Sequence, residues 1–196
     1  MKQIERATLI SSFVAFVLKL LSVHDVNPIF IISTSLLSCV YLYFGFALLN
    51  SVGFRAMFKK ASYDNVSAGR IIGAIGVGFF LSIIVIGILF KLMIWSGSHE
   101  MLTIGTTGLV ITLLAAGVVF LIKRKNLDLF YQGIFVRGAF AILFAVIVFL
   151  TPGRSLIRIY HRDNPVYAEL MIKALENPED EELQKQFDDA REKEYK

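Results

Sequence analysis

The sequence predicts an all-α, polytopic helical membrane protein, with about five transmembrane helices followed by a short amphipathic helical tail. Three observations carry this. The 196 residues are 56% hydrophobic and only 18% charged, against about 45–50% apolar and about 25% charged in a soluble domain. Mean hydropathy is +0.65. The apolar residues gather in long blocks, whereas charge gathers in short clusters and in the last third of the chain. A bilayer core about 30 Å thick needs roughly 20 helical residues. The blocks approach that length and lack the strict alternation of a barrel strand.

The first block, 7–23, has a basic start but is interrupted by Lys19, and no small-residue cleavage site follows. It therefore reads as a retained helix rather than a secretory signal. The second and third blocks are 29–49 and 71–95, and the fourth is 101–122. The fifth, 138–151, is short unless it begins before Arg137. Together residues 1–152 form a predicted transmembrane bundle, and 153–196 a charged tail.

Orientation follows from Lys and Arg, which are enriched in cytoplasmic loops. Lys2 and Arg6 stand at the N-terminus. Arg55, Lys59, Lys60 and Arg70 lie between the second and third blocks, and Lys123, Arg124 and Lys125 between the fourth and fifth. The turns "HDVNP" and "SGSHE" carry neither residue type. The N-terminus is therefore expected inside. Five spans place the tail outside, while Arg154, Arg158 and Arg162 directly after the fifth block argue for the inside. The net charge of +4 belongs to these loops; no separate basic domain or stacking motif supports nucleic-acid binding.

Two stretches, "FVLKLLSVHDVNPIFIISTSLL" and "ILFKLMIWSGSHEMLTIGTTGL", align without gaps, with Lys19 and Lys91 72 residues apart. They predict a parallel internal repeat of a two-helix unit over 17–50 and 89–122. An arginine opens each odd helix: Arg6, Arg70 and Arg137. Lys19, Lys91 and Trp95 are expected as interfacial anchors, the lysines laying their methylenes along lipid and lifting the ammonium to the headgroups. The alternative, a buried charge on an ion path, lacks a partner. Outside the tail the acids are Glu5, Asp25, Asp64, Glu100 and Asp128, all read at helix ends or in loops.

The residues Phe90, Lys91, Leu92, Met93, Trp95 and Gly97 resemble the motif that joins two membrane helices in the gliding-motility motor protein L family of Bacteroidota. The resemblance covers 87–110. It implies a bacterial inner membrane and a two-helix building block. Ile94 stands where that family has His, and Ser96 where it has Pro. The family's motor function implies a glutamate in the second helix of the unit, where this chain reads "TTGLVITLL". A carboxyl is the usual proton carrier, so the resemblance carries no torque-generating activity here.

No nucleophilic triad, phosphate loop or dinucleotide fingerprint is present, and no cofactor or enzymatic activity is expected. His24 with Asp25, His99 with Glu100, and His161 form a candidate outer metal or pH-sensing cluster. Cys39 is expected as a small packing residue. Gly69, Gly73 and Gly76 to Gly78 are expected to offer small-residue faces for close helix packing, with Gly69-x-x-x-Gly73 at the GxxxG spacing. Tyr41, Tyr43 and Phe44 are expected between helices. In the tail, Asn164–Pro165 and Asn177–Pro178 predict N-caps for helices over 165–176 and 178–194. Three functions remain open: a structural or accessory subunit of an inner-membrane complex, a transporter or channel component, and a membrane enzyme with a metal site at the outer turns. The expected partners are the lipid bilayer and a protein bound through the tail or a second copy.

Overall fold

The computed structural model describes residues 1–21, 23, 26–64, 66–122 and 129–194. Those residues form eight α-helices and one short 3-10 turn, Lys60–Tyr63. The helices are α1 (Lys2–Leu20), α2 (Val26–Leu49), α3 (Ala68–Leu92), α4 (Ser98–Ile122), α5 (Leu129–Leu150), α6 (Gly153–Tyr160), α7 (Pro165–Glu176) and α8 (Glu181–Glu194). By length and composition, α2 to α5 are each long and apolar enough to cross a membrane. The protein is a helical membrane protein. α1 is not among these four; it carries Lys2, Glu5, Arg6 and Lys19.

α2 and α3 form the centre. α1 lies against α2 on one flank, α4 against α3 on the other, and α5 packs on α3 and α4 and touches α2. The central contact is close because its residues are small. A Cβ at Gly78 would come within 2.6 Å of the Tyr41 carbonyl oxygen, and one at Gly45 within 2.9 Å of Gly78 Cα. Ser38 Oγ and Ser82 Oγ share a hydrogen bond of 2.8 Å across the same seam. Such close backbone approach supplies van der Waals contact where lipid offers no hydrophobic driving force. The expected Gly69–Gly73 contact is not made: nothing lies within 4 Å of a Cβ at either position. Of the small-residue faces expected on α3, Gly78 makes the close contact, where α2 presents Gly45.

Several boundaries shift. α5 starts at Leu129, so Arg137 lies eight residues inside the helix rather than opening it. α3 ends at Leu92, three residues before its expected limit, in a Schellman cap. Trp95 N–H donates to the Phe90 carbonyl at 2.8 Å and Ile94 N–H to the Lys91 carbonyl at 3.2 Å. Ile94 takes the left-handed position, φ 59°, and the Phe90 and Trp95 rings meet edge to face at 5.2 Å. Cys39 is exposed on the outer side of α2, not packed inside. Of the three aromatic residues expected between helices, Tyr41 is buried but Tyr43 is exposed. Its period on the helix turns it outward.

The tail is folded onto one end of the bundle. α6, not foreseen in the sequence, turns Leu156 and Ile157 inward. Its arginines face α7: Arg154 pairs with Glu176, and Arg158 with Glu169 at 2.9 Å. α7 begins as expected, with Asn164 Oδ1 accepting from Tyr167 N–H at 3.1 Å. α8 begins later, capped by Asp180 Oδ1 accepting from Leu183 N–H at 3.0 Å. Asn177 instead ends α7. Ile94 packs against both the bundle core and the tail cluster of Ile157, Ala168 and Ile172. Arg162 donates to the Leu21 carbonyl at 3.1 Å. The tail and the turns after α1 and α3 thus share one end of the molecule, and Met1 lies at the other, beside Leu48 and Gly53.

Candidate functional site

Glu5 lies at a helix end, in the first turn of α1, as expected, yet it is buried, 4% exposed. Arg137 Nε donates to Glu5 Oε1 at 2.6 Å and Arg137 Nη2 to Glu5 Oε2 at 2.6 Å. Tyr41 Oη–H donates to Glu5 Oε1 at 3.1 Å. Arg137 Nη1 also donates to the Gly133 carbonyl at 3.2 Å. Three helices therefore meet at one carboxylate. Tyr41 lies eight residues from the end of α2 and Arg137 eight from the start of α5, which is about 12 Å along each helix. An ionised carboxylate at that depth needs both a counter-charge and donors for its lone pairs. The planar guanidinium supplies both in a fork.

This dyad heads an open groove of about 620 Å³ between α1 and α5, floored by α2 and α3. Leu9, Phe13, Val136 and Phe140 form its lips. At the other end the Phe16 ring meets Phe30 at 6.5 Å and Phe144 at 6.0 Å. Between the two ends stand Ser12 and Thr34, both buried, with hydroxyls that have no hydrogen-bond partner.

The expected anchors Lys19, Lys91 and Trp95 stand at helix ends, away from this groove. Lys19 Nζ donates to Asn27 Oδ1 at 2.6 Å and sits 4.4 Å from the centre of the Tyr160 ring. It ties the start of α2 to the tail. Lys91 is half-buried one residue before the end of α3, and Trp95 is exposed just beyond it.

The two described outer histidines each pack on an aromatic ring. His99 packs on the Phe149 ring at 4.6 Å, and His161 on the Tyr167 ring at 4.8 Å. Among the described residues no three His, Cys, Asp or Glu side chains converge to hold a metal ion. His24 and Asp25 lie outside the described residues, as do Lys123, Arg124, Lys125 and Asp128. Family models, curated proteins and solved structures yield no match to the chain.

The signal for Glu5 was present but unused. An acid in the first turn of a helix suits the helix dipole and needs no partner, so Glu5 read as ordinary. Arg137 inside an apolar stretch was the stronger hint, because a cation there demands a counter-charge.

Proposed function

We propose that the protein is a non-enzymatic accessory subunit of a bacterial inner-membrane complex, with its N-terminus cytoplasmic and its tail on the opposite side. One observation carries the reading. A three-helix tier outside the span is fixed to the bundle by Ile94 and by the Arg162 bond to the Leu21 carbonyl, yet presents Val166, 79% exposed, and Leu175, 51% exposed, to its surroundings. They lie nine residues apart on α7, on opposite sides of the helix, and each gives a protein partner an apolar contact on an otherwise charged tier. The buried polar groups of the bundle support the same reading, since Glu5, Arg137 and Tyr41 are held by one another as a structural tie.

The helix boundaries support a repeated two-helix unit: α1 ends at Leu20 and α3 at Leu92, α2 starts at Val26 and α4 at Ser98, each 72 residues apart. Such a unit serves a scaffold as well as a pore. The test is affinity purification of the full chain from its native membrane, compared with Val166→Asp plus Leu175→Asp. A stoichiometric partner lost on the double substitution, with the bundle's thermal midpoint unchanged, supports the proposal. A stable monomer with no partner sinks it.

A transporter component is the second reading, and Glu5 favours it. A transporter component needs a buried acid as proton carrier, and Glu5, buried against Arg137 and Tyr41, is a candidate. Proton-coupled flux in liposomes, abolished in the restabilised Glu5→Leu plus Arg137→Met variant, would select it.

A further inference from the structure

The two ends of the molecule answer their positive charge differently. At the tail end the arginines after α5 are met within the chain. Arg154 pairs with Glu176, Arg158 with Glu169 at 2.9 Å, and Arg162 with the Leu21 carbonyl at 3.1 Å and Asp163 at 3.9 Å. At the Met1 end Arg137 takes Glu5, and Arg70 lies over the Phe130 ring at 4.4 Å. Lys2, Arg6, Arg55 and Lys59 are exposed there, and among the described residues no carboxylate pairs with any of them. Asp64, the acid of the loop between α2 and α3, is also exposed and pairs with none of the four. Lys2 lines a small recess with Ser51, Val52 and Gly53, so the start of α1 and this loop share one surface.

The loop that carries Arg55 and Lys59 does not stand out in water. It folds back on the last turns of α2. Val52 and Met57 are buried against Ala47. The Phe54 ring meets Phe44 edge to face at 5.8 Å, and Tyr63 meets Phe46 at 6.0 Å. Depth follows from helix length. The 24 residues of α2 extend about 36 Å, so a centred helix overruns a core of about 30 Å by about 3 Å at each end. Phe44 is five residues before the end of α2, about 7 Å along the helix, which sets it just inside the hydrocarbon. Phe54 lies beside it and is 48% exposed, and Phe58, next to the buried Met57, is 83% exposed. Rings so bare at the edge of the hydrocarbon face acyl chains, while the cations between and after them stand at headgroup level.

We propose that the α2–α3 loop, with the start of α1, is a seat for anionic phospholipid. Phe54 and Phe58 enter the leaflet below the headgroups, and Arg55, Lys59 and Lys2 hold the phosphates above them. The ligand is anionic because these cations have no counter-charge within the described chain, unlike the arginines of the tail. It is a lipid because aromatic and basic residues alternate along one short loop that is pinned to the side of a span. A soluble anion would satisfy the cations but leave both phenyl rings in water. An acidic protein surface would have to displace the lipid beside α2 to reach those rings.

The test moves the chain's single tryptophan into the loop, as Trp95→Phe with Phe58→Trp. The full chain is reconstituted in phosphatidylcholine vesicles that carry brominated phosphatidylglycerol or, at the same mole fraction, brominated phosphatidylcholine, and quenching of the indole is read. Both lipids are expected to quench, with an apparent affinity about fivefold higher for phosphatidylglycerol, the effect of one basic side chain beside an anionic surface. Arg55→Gln plus Lys59→Gln is expected to cut that ratio at least twofold with the thermal midpoint unchanged, since both side chains are exposed. Sodium chloride at about 1 M, which screens beyond about 3 Å, is expected to do the same without any further substitution, so the test holds even if the double variant fails to fold. Three results overturn the proposal. Quenching by neither lipid would put the loop in water, open to a soluble anion or a protein. Equal quenching by both would leave insertion with no choice of headgroup. A ratio reduced by neither substitution nor salt would place the preference elsewhere on the chain. The vesicles hold this chain alone, so none of the three bears on the accessory-subunit reading.

Discussion

Glu5 shows what one side chain can do when its surroundings leave it no water. Its carboxylate joins α1, α2 and α5 through Tyr41 and Arg137. Removing one partner leaves the other charge buried. Glu5→Gln is therefore expected to destabilise the bundle by about 3–5 kcal/mol, read as a fall in thermal midpoint in detergent. Replacing both, as Glu5→Leu with Arg137→Met, is expected to recover most of the loss, because no uncompensated charge then remains. A double variant as unstable as the single one would show that the pair is not the tie. Glycines give a second contrast at this scale. Gly78→Ala forces a Cβ against the Tyr41 carbonyl and is expected to part α2 from α3, whereas Gly73→Ala meets nothing and is expected to stabilise by up to about 1 kcal/mol through helix propensity. Equal effects at the two sites would contradict the seam. Neither contrast was legible in the sequence. A GxxxG spacing names small residues but not the helix that faces them, and the partner of Glu5 lies 132 residues away.

Among the elements, the end of α3 couples bundle to tail. Ile94 holds a left-handed conformation that costs a β-branched residue about 1–2 kcal/mol, and its side chain is wedged between the bundle core and the tail cluster. Ile94→Gly relieves the backbone and removes the wedge. The expected result is a bundle stability changed by less than about 1 kcal/mol, since the two terms oppose, together with faster amide exchange in α6 and α7. Exchange unchanged in the tail would mean that Arg162 on the Leu21 carbonyl and Lys19 on the Tyr160 ring hold it without the wedge. Those pairs also explain why the tail's side of the membrane was ambiguous. Arg154 and Arg158 resembled a cytoplasmic flank, but their charge is answered by Glu176 and Glu169 of α7. The caps, by contrast, were partly legible. Asn164–Pro165 starts α7 as its sequence requires, because a cap is satisfied by the next three residues. Asn177–Pro178 failed because Asn177 was already used to end α7, and Asp180 was better placed for α8.

At the scale of the whole molecule, the N-terminus and the tail occupy opposite ends of the helix bundle. In a Cys39→Ala background, Lys2→Cys and Asp163→Cys are expected to react with a membrane-impermeant maleimide from opposite faces of sealed vesicles. Labelling of both from one face would contradict a bundle that crosses the bilayer with its ends so arranged. The sequence by itself determined the class: helical, membrane-embedded, with hairpin turns near Lys19 and Lys91 and a capped, amphipathic tail. It could do so because hydropathy, helix length and capping are set by residues close together in the chain. Only the tertiary structure decided that Glu5 is buried, that Arg137 lies within α5, and that Ser12 and Thr34 share a groove with no bond of their own. Each of these depends on which helix faces which across the bundle, and side chains tens of residues apart meet only once the helices have packed.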